Sequence, residues 1–167
     1  MIRVTQVCES GMKGLTTDLN LLHYIHSHKT HMATRSRIGI QLADDSVLSI
    51  YCHWDGYPEY NGVKLQQYFN TKEKVAELID GGDISALYTN IGFNNETLPT
   101  TGPLYYSSRG ENRPPRLDWR ISDYLTQDAE EYAYLYTLAG EWLCYDTCEW
   151  HDVTYLEIVE IPAAVAA

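Results

Sequence analysis

Residues 36–53 read SRIGIQLADDSVLSIYCH. Apolar and polar residues alternate through both halves, the two-residue period of a strand with one buried face. In the first half Ile38, Ile40 and Leu42 share a face. In the second, Leu48, Ile50 and Cys52 take one face, and Val47, Ser49, Tyr51 and His53 take the other. Between the halves, Ala43-Asp44-Asp45-Ser46 has turn chemistry. The stretch therefore predicts a β-hairpin, and a half-buried sheet as the body of the fold.

Downstream, residues 51–62 read YCHWDGYPEYNG. Gly56, Pro58 and Asn61-Gly62 turn the chain there. VKLQQYF, residues 63–69, follows as a helix. TKEKVAELID, residues 71–80, predicts a second, capped by Thr71 with Val75, Leu78 and Ile79 inward, ending at Gly81-Gly82. GDISAL reads as a turn. Residues 88–116 read as a long loop with one short strand at LYYSS, residues 104–108. This loop also holds Arg109, Arg113 and Arg116. ISDYLTQ predicts a short helix with Ser122 as its cap. EYAYLYTL and EWLCYDT flank Ala139-Gly140 as a second hairpin, and TYLEIVEI predicts a further strand.

The expected fold is α+β: one domain over residues 32–161, with an antiparallel sheet of about five strands. Two hairpins and a C-terminal strand would build the sheet, with two or three helices on one face. Residues 1–31 read as an extension or arm, and residues 162–167 as a tail. There is no βαβ rhythm, no GxGxxG and no phosphate-binding P-loop.

The 167 residues carry a formal net charge of -11. That balance argues against direct nucleic-acid binding, which draws affinity from Lys and Arg on phosphates. The chain shows neither an apolar run long enough to span a membrane nor a leader pattern, so a cytoplasmic protein is expected. Its four cysteines then read as thiols or ligands rather than disulfides. Tyrosine is abundant, 14 against 2 Phe, and tyrosine suits half-exposed and interface surfaces. From Asp128 to Glu160 acids are frequent, and Lys and Arg are absent.

Residues 33–87, from ATRS through the hairpin and YCHWDGYPEYNG to GDISAL, resemble a family of small phage, prophage and bacterial proteins with no assigned activity. The resemblance implies a phage context, and hence the host cell cytoplasm. It implies no chemistry. The YAYLY and GEWLCYD segments resemble it less specifically.

Several sites follow from the residues. His53 as base with Asp55 as its orienter would serve a hydrolase, but Cys52 sits on the opposite strand face and reads as core. Arg35, His53, Trp54, Asp55, Tyr57 and Tyr60 would suit a nucleotide-like ligand, combining stacking rings with a guanidinium. Cys144, Cys148 and His151 have the spacing C-x3-C-x2-H and could hold zinc with help from Cys52 or His53. Otherwise no cofactor is expected. The histidines of HYIHSHKTH (His23, His26, His28, His31) suit adventitious metal. Finally, Glu130, Glu131, Tyr132, Tyr134, Tyr136, Glu141 and Trp142 would form an acidic, aromatic docking surface for a host protein, or a sheet face covered by the helices. Self-association stays open. The leading expectation is a non-enzymatic phage-type protein that engages a host protein. A nucleotide-binding protein is the first alternative and the His53–Asp55 enzyme the second.

Overall fold

A computed structural model describes residues 33–87, 102–126, 130–147 and 156–163. The chain divides into two units, Met1–His31 and Met32–Ala167. The first lies outside the described residues, as does its histidine run.

The expected first hairpin is present as β1 (Ser36–Gln41) and β2 (Val47–Cys52), paired antiparallel with Ile38 opposite Ile50. Leu42, Asp44 and Ser46 close its turn by hydrogen bonds, and Asp45 takes φ 66°. A π-turn over Pro58–Gly62 leads into α1 (Val63–Tyr68). The next helix, α2 (Lys72–Asp80), starts at Thr71, whose hydroxyl accepts from the Lys74 amide as predicted.

Short strands follow: β3 (Ile84–Ala86), β4 (Leu104–Tyr105) and β5 (Arg116–Asp118). A 3-10 turn, Tyr106–Arg109, separates the last two. Then come α3 (Ile121–Leu125), β6 (Tyr132–Tyr136), β7 (Trp142–Asp146) and β8 (Glu157–Val159). The residue preceding α3 is Arg120, and Ser122 lies inside the helix rather than capping it.

The class is α+β as expected, but the sheet is larger, with eight strands in the order β4-β3-β2-β1-β6-β7-β8 and β5 also on β2. Ile84–Ala86 within GDISAL and the RLD of residues 116–118 are strands, each too short to show a period. Two of the pairings are parallel, β1 with β6 and β2 with β3. The hairpins are thus joined side by side through β1 and β6.

The helices cover both faces, which corrects the one-face expectation. On the first face Ile38, Ile40, Ile50, Cys52, Tyr134, Tyr136, Trp142 and Cys144 pack with Leu65 of α1 and Val75, Leu78 and Ile79 of α2. On the second, Val47, Ala133 and Leu135 pack with Tyr124 and Leu125 of α3. Gly39 explains how α3 comes so close: a Cβ there would lie 2.7 Å from Val47 and 3.0 Å from the Tyr124 ring. The Tyr124 hydroxyl reaches across the β1–β6 seam, 2.7 Å from the Tyr134 carbonyl and 3.1 Å from that of Arg37.

Candidate functional site

α3 covers only part of the second sheet face. At the Arg37 end that face is polar. Strand register places Arg37 opposite Tyr51, and Ser49 opposite both Gly39 and Arg116. The Arg37 side chain is nine-tenths buried and spans two carboxylates, Glu130 at 3.4 Å and Asp118 at 3.9 Å. Asp118 also accepts from Arg116 at 3.2 Å. A charge this buried is tolerated only when paired.

Further along the same end, Tyr51 and His53 are two residues apart on one strand face. The Tyr51 hydroxyl lies 2.8 Å from His53 Nδ1, and the His53 ring meets Trp54 edge-on at 4.8 Å. Burial, then Arg35, then Arg109 hold His53 below its usual range. Where the Tyr51 hydroxyl donates to Nδ1, a neutral His53 carries its proton on Nε2. Burial raises Tyr51, and Arg35 opposes that shift. Arg35 bonds through its backbone, its amide donating to Glu131 and its carbonyl accepting from the Glu131 and Tyr132 amides; its guanidinium has no hydrogen-bond or ion-pair partner among the described residues.

The segment 106–113 contributes the outer wall. The guanidinium groups of Arg109 and Arg113 lie 4.5 and 4.8 Å from the centre of the Tyr106 ring. Both also pair with Glu111 at the surface. Asp83 sits among Arg37, Arg113 and Arg116, and accepts from the Tyr51 amide at 2.8 Å. Burial still raises its carboxyl overall. Among the described residues, Arg35, Arg109 and Arg113 thus lie near Tyr51, His53 or Tyr106, and Arg37, Arg113 and Arg116 lie near Asp83.

Of the ligand set expected from the sequence, Arg35, His53 and Trp54 come together here. Asp55, Tyr57 and Tyr60 do not join them. Asp55 takes φ 57° and turns the chain. Tyr57 and Tyr60 pair with each other at 6.0 Å, and Tyr60 continues toward Lys64 and the helix side. The expected His53–Asp55 dyad is not formed, because His53 Nδ1 faces Tyr51 instead.

The rest of YCHWDGYPEYNG is a structural joint. Asn61 is buried, and its amide nitrogen lies within 3.4 Å of Ser36 Oγ, Cys52 Sγ and the Trp54 carbonyl. Gly56 lies against the Arg35 carbonyl, where a Cβ would approach to 2.8 Å, and accepts from the Tyr134 hydroxyl at 2.7 Å. Cys52 is core, its thiol pushed up to about 11 by burial.

The expected docking surface is largely interior. Glu130, Tyr134, Tyr136 and Trp142 are buried, Glu131 and Tyr132 half-buried, and only Glu141 is exposed. The tyrosines face α1 and α2 because their hydroxyls find carbonyls at the connecting segments: Tyr136 donates to Asn70, and Trp142 Nε1 to Phe69. Cys144 is buried, with its thiol raised to about 12. Cys148 and His151 lie outside the described residues. Among the described residues no three His, Cys, Asp or Glu side chains are grouped to hold a metal ion. None of their helices is long and apolar enough to cross a membrane.

Arg109, Arg113, Arg116 and Tyr106 were not named as site residues from the sequence. The available signal was the concentration of arginine in one long loop of an acidic chain. No family model, curated protein or solved structure matches the chain.

Proposed function

We propose that this protein binds and sequesters a small anionic ligand of nucleotide type on the arginine-lined sheet face. The observation that supports the reading is the Arg35 guanidinium, without a partner among the described residues, beside the Tyr51–His53 pair and the exposed Trp54 ring, with Arg109 near His53. A phosphate would sit between Arg35 and Arg109, with His53 Nε2–H as a further donor. A base would stack on Trp54, 47% exposed, or on Tyr106. In the phage setting that the YCHWDGYPEYNG resemblance implies, the ligand would be a host nucleotide withdrawn from use.

Native mass spectrometry of the purified protein, then of the same sample denatured, tests this directly. The expected result is a nucleotide-sized mass that leaves on denaturation, or that can be loaded from a nucleotide panel. Trp54→Ala and Arg35→Ala should each weaken uptake by about tenfold or more while leaving the melting temperature near wild type. A bare polypeptide that no nucleotide loads would sink the reading.

A second reading, engagement of a host protein, is supported by the edge strand β8. It exposes Glu157 and Ile158, the latter 58% exposed, and Glu160 just beyond it is exposed too. Glu141→Lys with Glu157→Lys should then abolish capture of a partner that the wild type retains. Unchanged capture would count against it.

A further inference from the structure

Two buried donors at the inner end of this face have neither a hydrogen bond nor an ion-pair contact, Arg37 Nε and Ser49 Oγ; Arg37 Nη1 makes no hydrogen bond but lies 3.9 Å from Asp118. Ser49 is 0% and Arg37 8% exposed. Buried donors left without an acceptor are rare in folded proteins, because each forfeits its hydration. Here they lie together. Arg37 and Ser49 project from neighbouring strands onto the same face, diagonal to one another in the register, with Gly39 opposite Ser49 and the Tyr124 ring packed over Gly39. Arg116 stands across from Ser49 on the other side.

We infer that the corner formed by Arg37, Ser49 and Arg116 is an inner subsite for one oxyanion, such as a phosphoryl group. This deepens the ligand-binding reading and rests on it in taking the same face as the site. Arg37 Nε supplies an N–H donor and Ser49 a hydroxyl, two donors on one side of an oxyanion. Arg116 is the cover: its side chain is 32% exposed and is held over the corner by Asp118. Exchanging the Asp118 carboxylate for a ligand oxygen opens the corner and adds a bidentate donor. Asp83, Asp118 and Glu130 stand around Arg37 and Arg116, so a bound oxyanion would take the place of carboxylate contacts.

Titration calorimetry of the full chain with inorganic phosphate and with adenosine 5′-monophosphate tests the subsite, using wild type, Ser49→Ala, Arg116→Gln and Trp54→Ala. Ser49→Ala removes a buried hydroxyl that has no partner, so it should fold with an unchanged or raised melting temperature. It should nevertheless bind phosphate about tenfold more weakly, the loss of one hydrogen bond to a charged acceptor. Arg116→Gln should weaken phosphate similarly, and Trp54→Ala should weaken the monophosphate alone. Wild-type affinity for phosphate in folded Ser49→Ala overturns the subsite. So does a wild type that binds no phosphate, which would mean water satisfies these donors. If phosphate and the monophosphate bind equally well, and Trp54→Ala changes neither, the subsite stands and the nucleotide reading falls.

Discussion

His53 shows how one side chain reports on its neighbourhood. Its ring is held below the ordinary 6.5 by burial, then by Arg35 and Arg109. Because the folded value is depressed, the folded protein is favoured with His53 neutral. Stability is complete above the unfolded value and declines as the pH falls through 6.5 toward the folded value. An anion between Arg35 and Arg109 would cancel their repulsion, so binding should raise the His53 value and take up a proton. Ligand affinity should then increase from about pH 7.5 to about pH 5.5, and His53→Gln should flatten that dependence. Imidazole NMR titration with and without inorganic phosphate is the check; a His53 resonance whose midpoint ignores phosphate would refute it. Gly39 is the corresponding packing test. Gly39→Ala should destabilise by about 1–3 kcal/mol in chemical denaturation, because Val47 and the Tyr124 ring already occupy the space.

Among the elements, the joint from Trp54 to Gly62 carries the most consequence. It holds the end of β2 against β1 through Asn61, and against β6 through Tyr134. Tyr134→Phe should cost about 1–3 kcal/mol in thermal or urea unfolding, since it strands the buried Gly56 carbonyl. The same variant should leave anion binding intact, because Tyr134 is on the opposite face from Arg37. Chemistry-bearing residues in this motif had two readings in the sequence, site and turn. The strand decides between them. Tyr51 and His53 share one sheet face and Trp54 meets His53 edge-on, whereas Asp55, with its positive φ, turns the chain and Tyr60 lies by Lys64 of α1. The two hairpins, α1 and the capped α2 were legible because each spans enough residues to show its period. β3 and β5 were not, because three residues contain no repeat.

For the molecule as a whole, the balance of charge is the main lesson. The chain carries a net charge of -11, yet Arg37, Arg113 and Arg116 gather around Asp83, and Arg35 and Arg109 lie near His53. Arg37 is central, buried between Asp118 and Glu130. Asp118→Asn removes one buried partner and should destabilise by about 3–5 kcal/mol in denaturant titration, in contrast to the exposed Glu111, whose replacement should shift stability by under about 1 kcal/mol. Anion binding should also weaken as salt rises from about 0.05 to about 0.5 M, since Arg35 and Arg109 are not deeply buried.

The sequence by itself determined the α+β class, the β1–β2 and β6–β7 hairpins, the helices around Leu65 and Val75, and Cys52 as core. These follow from local periodicity and turn chemistry, which operate within a few residues. Only the tertiary structure decided that α3 covers the second face, and that Tyr134, Tyr136 and Trp142 point inward. It alone brought Arg37, Arg113 and Arg116 around Asp83, and Arg35 and Arg109 near His53. Those outcomes depend on β1 pairing in parallel with β6, and on β5 pairing with β2. Such contacts join residues roughly 70 to 95 positions apart, where no local pattern specifies the partner and the packing of the whole sheet does.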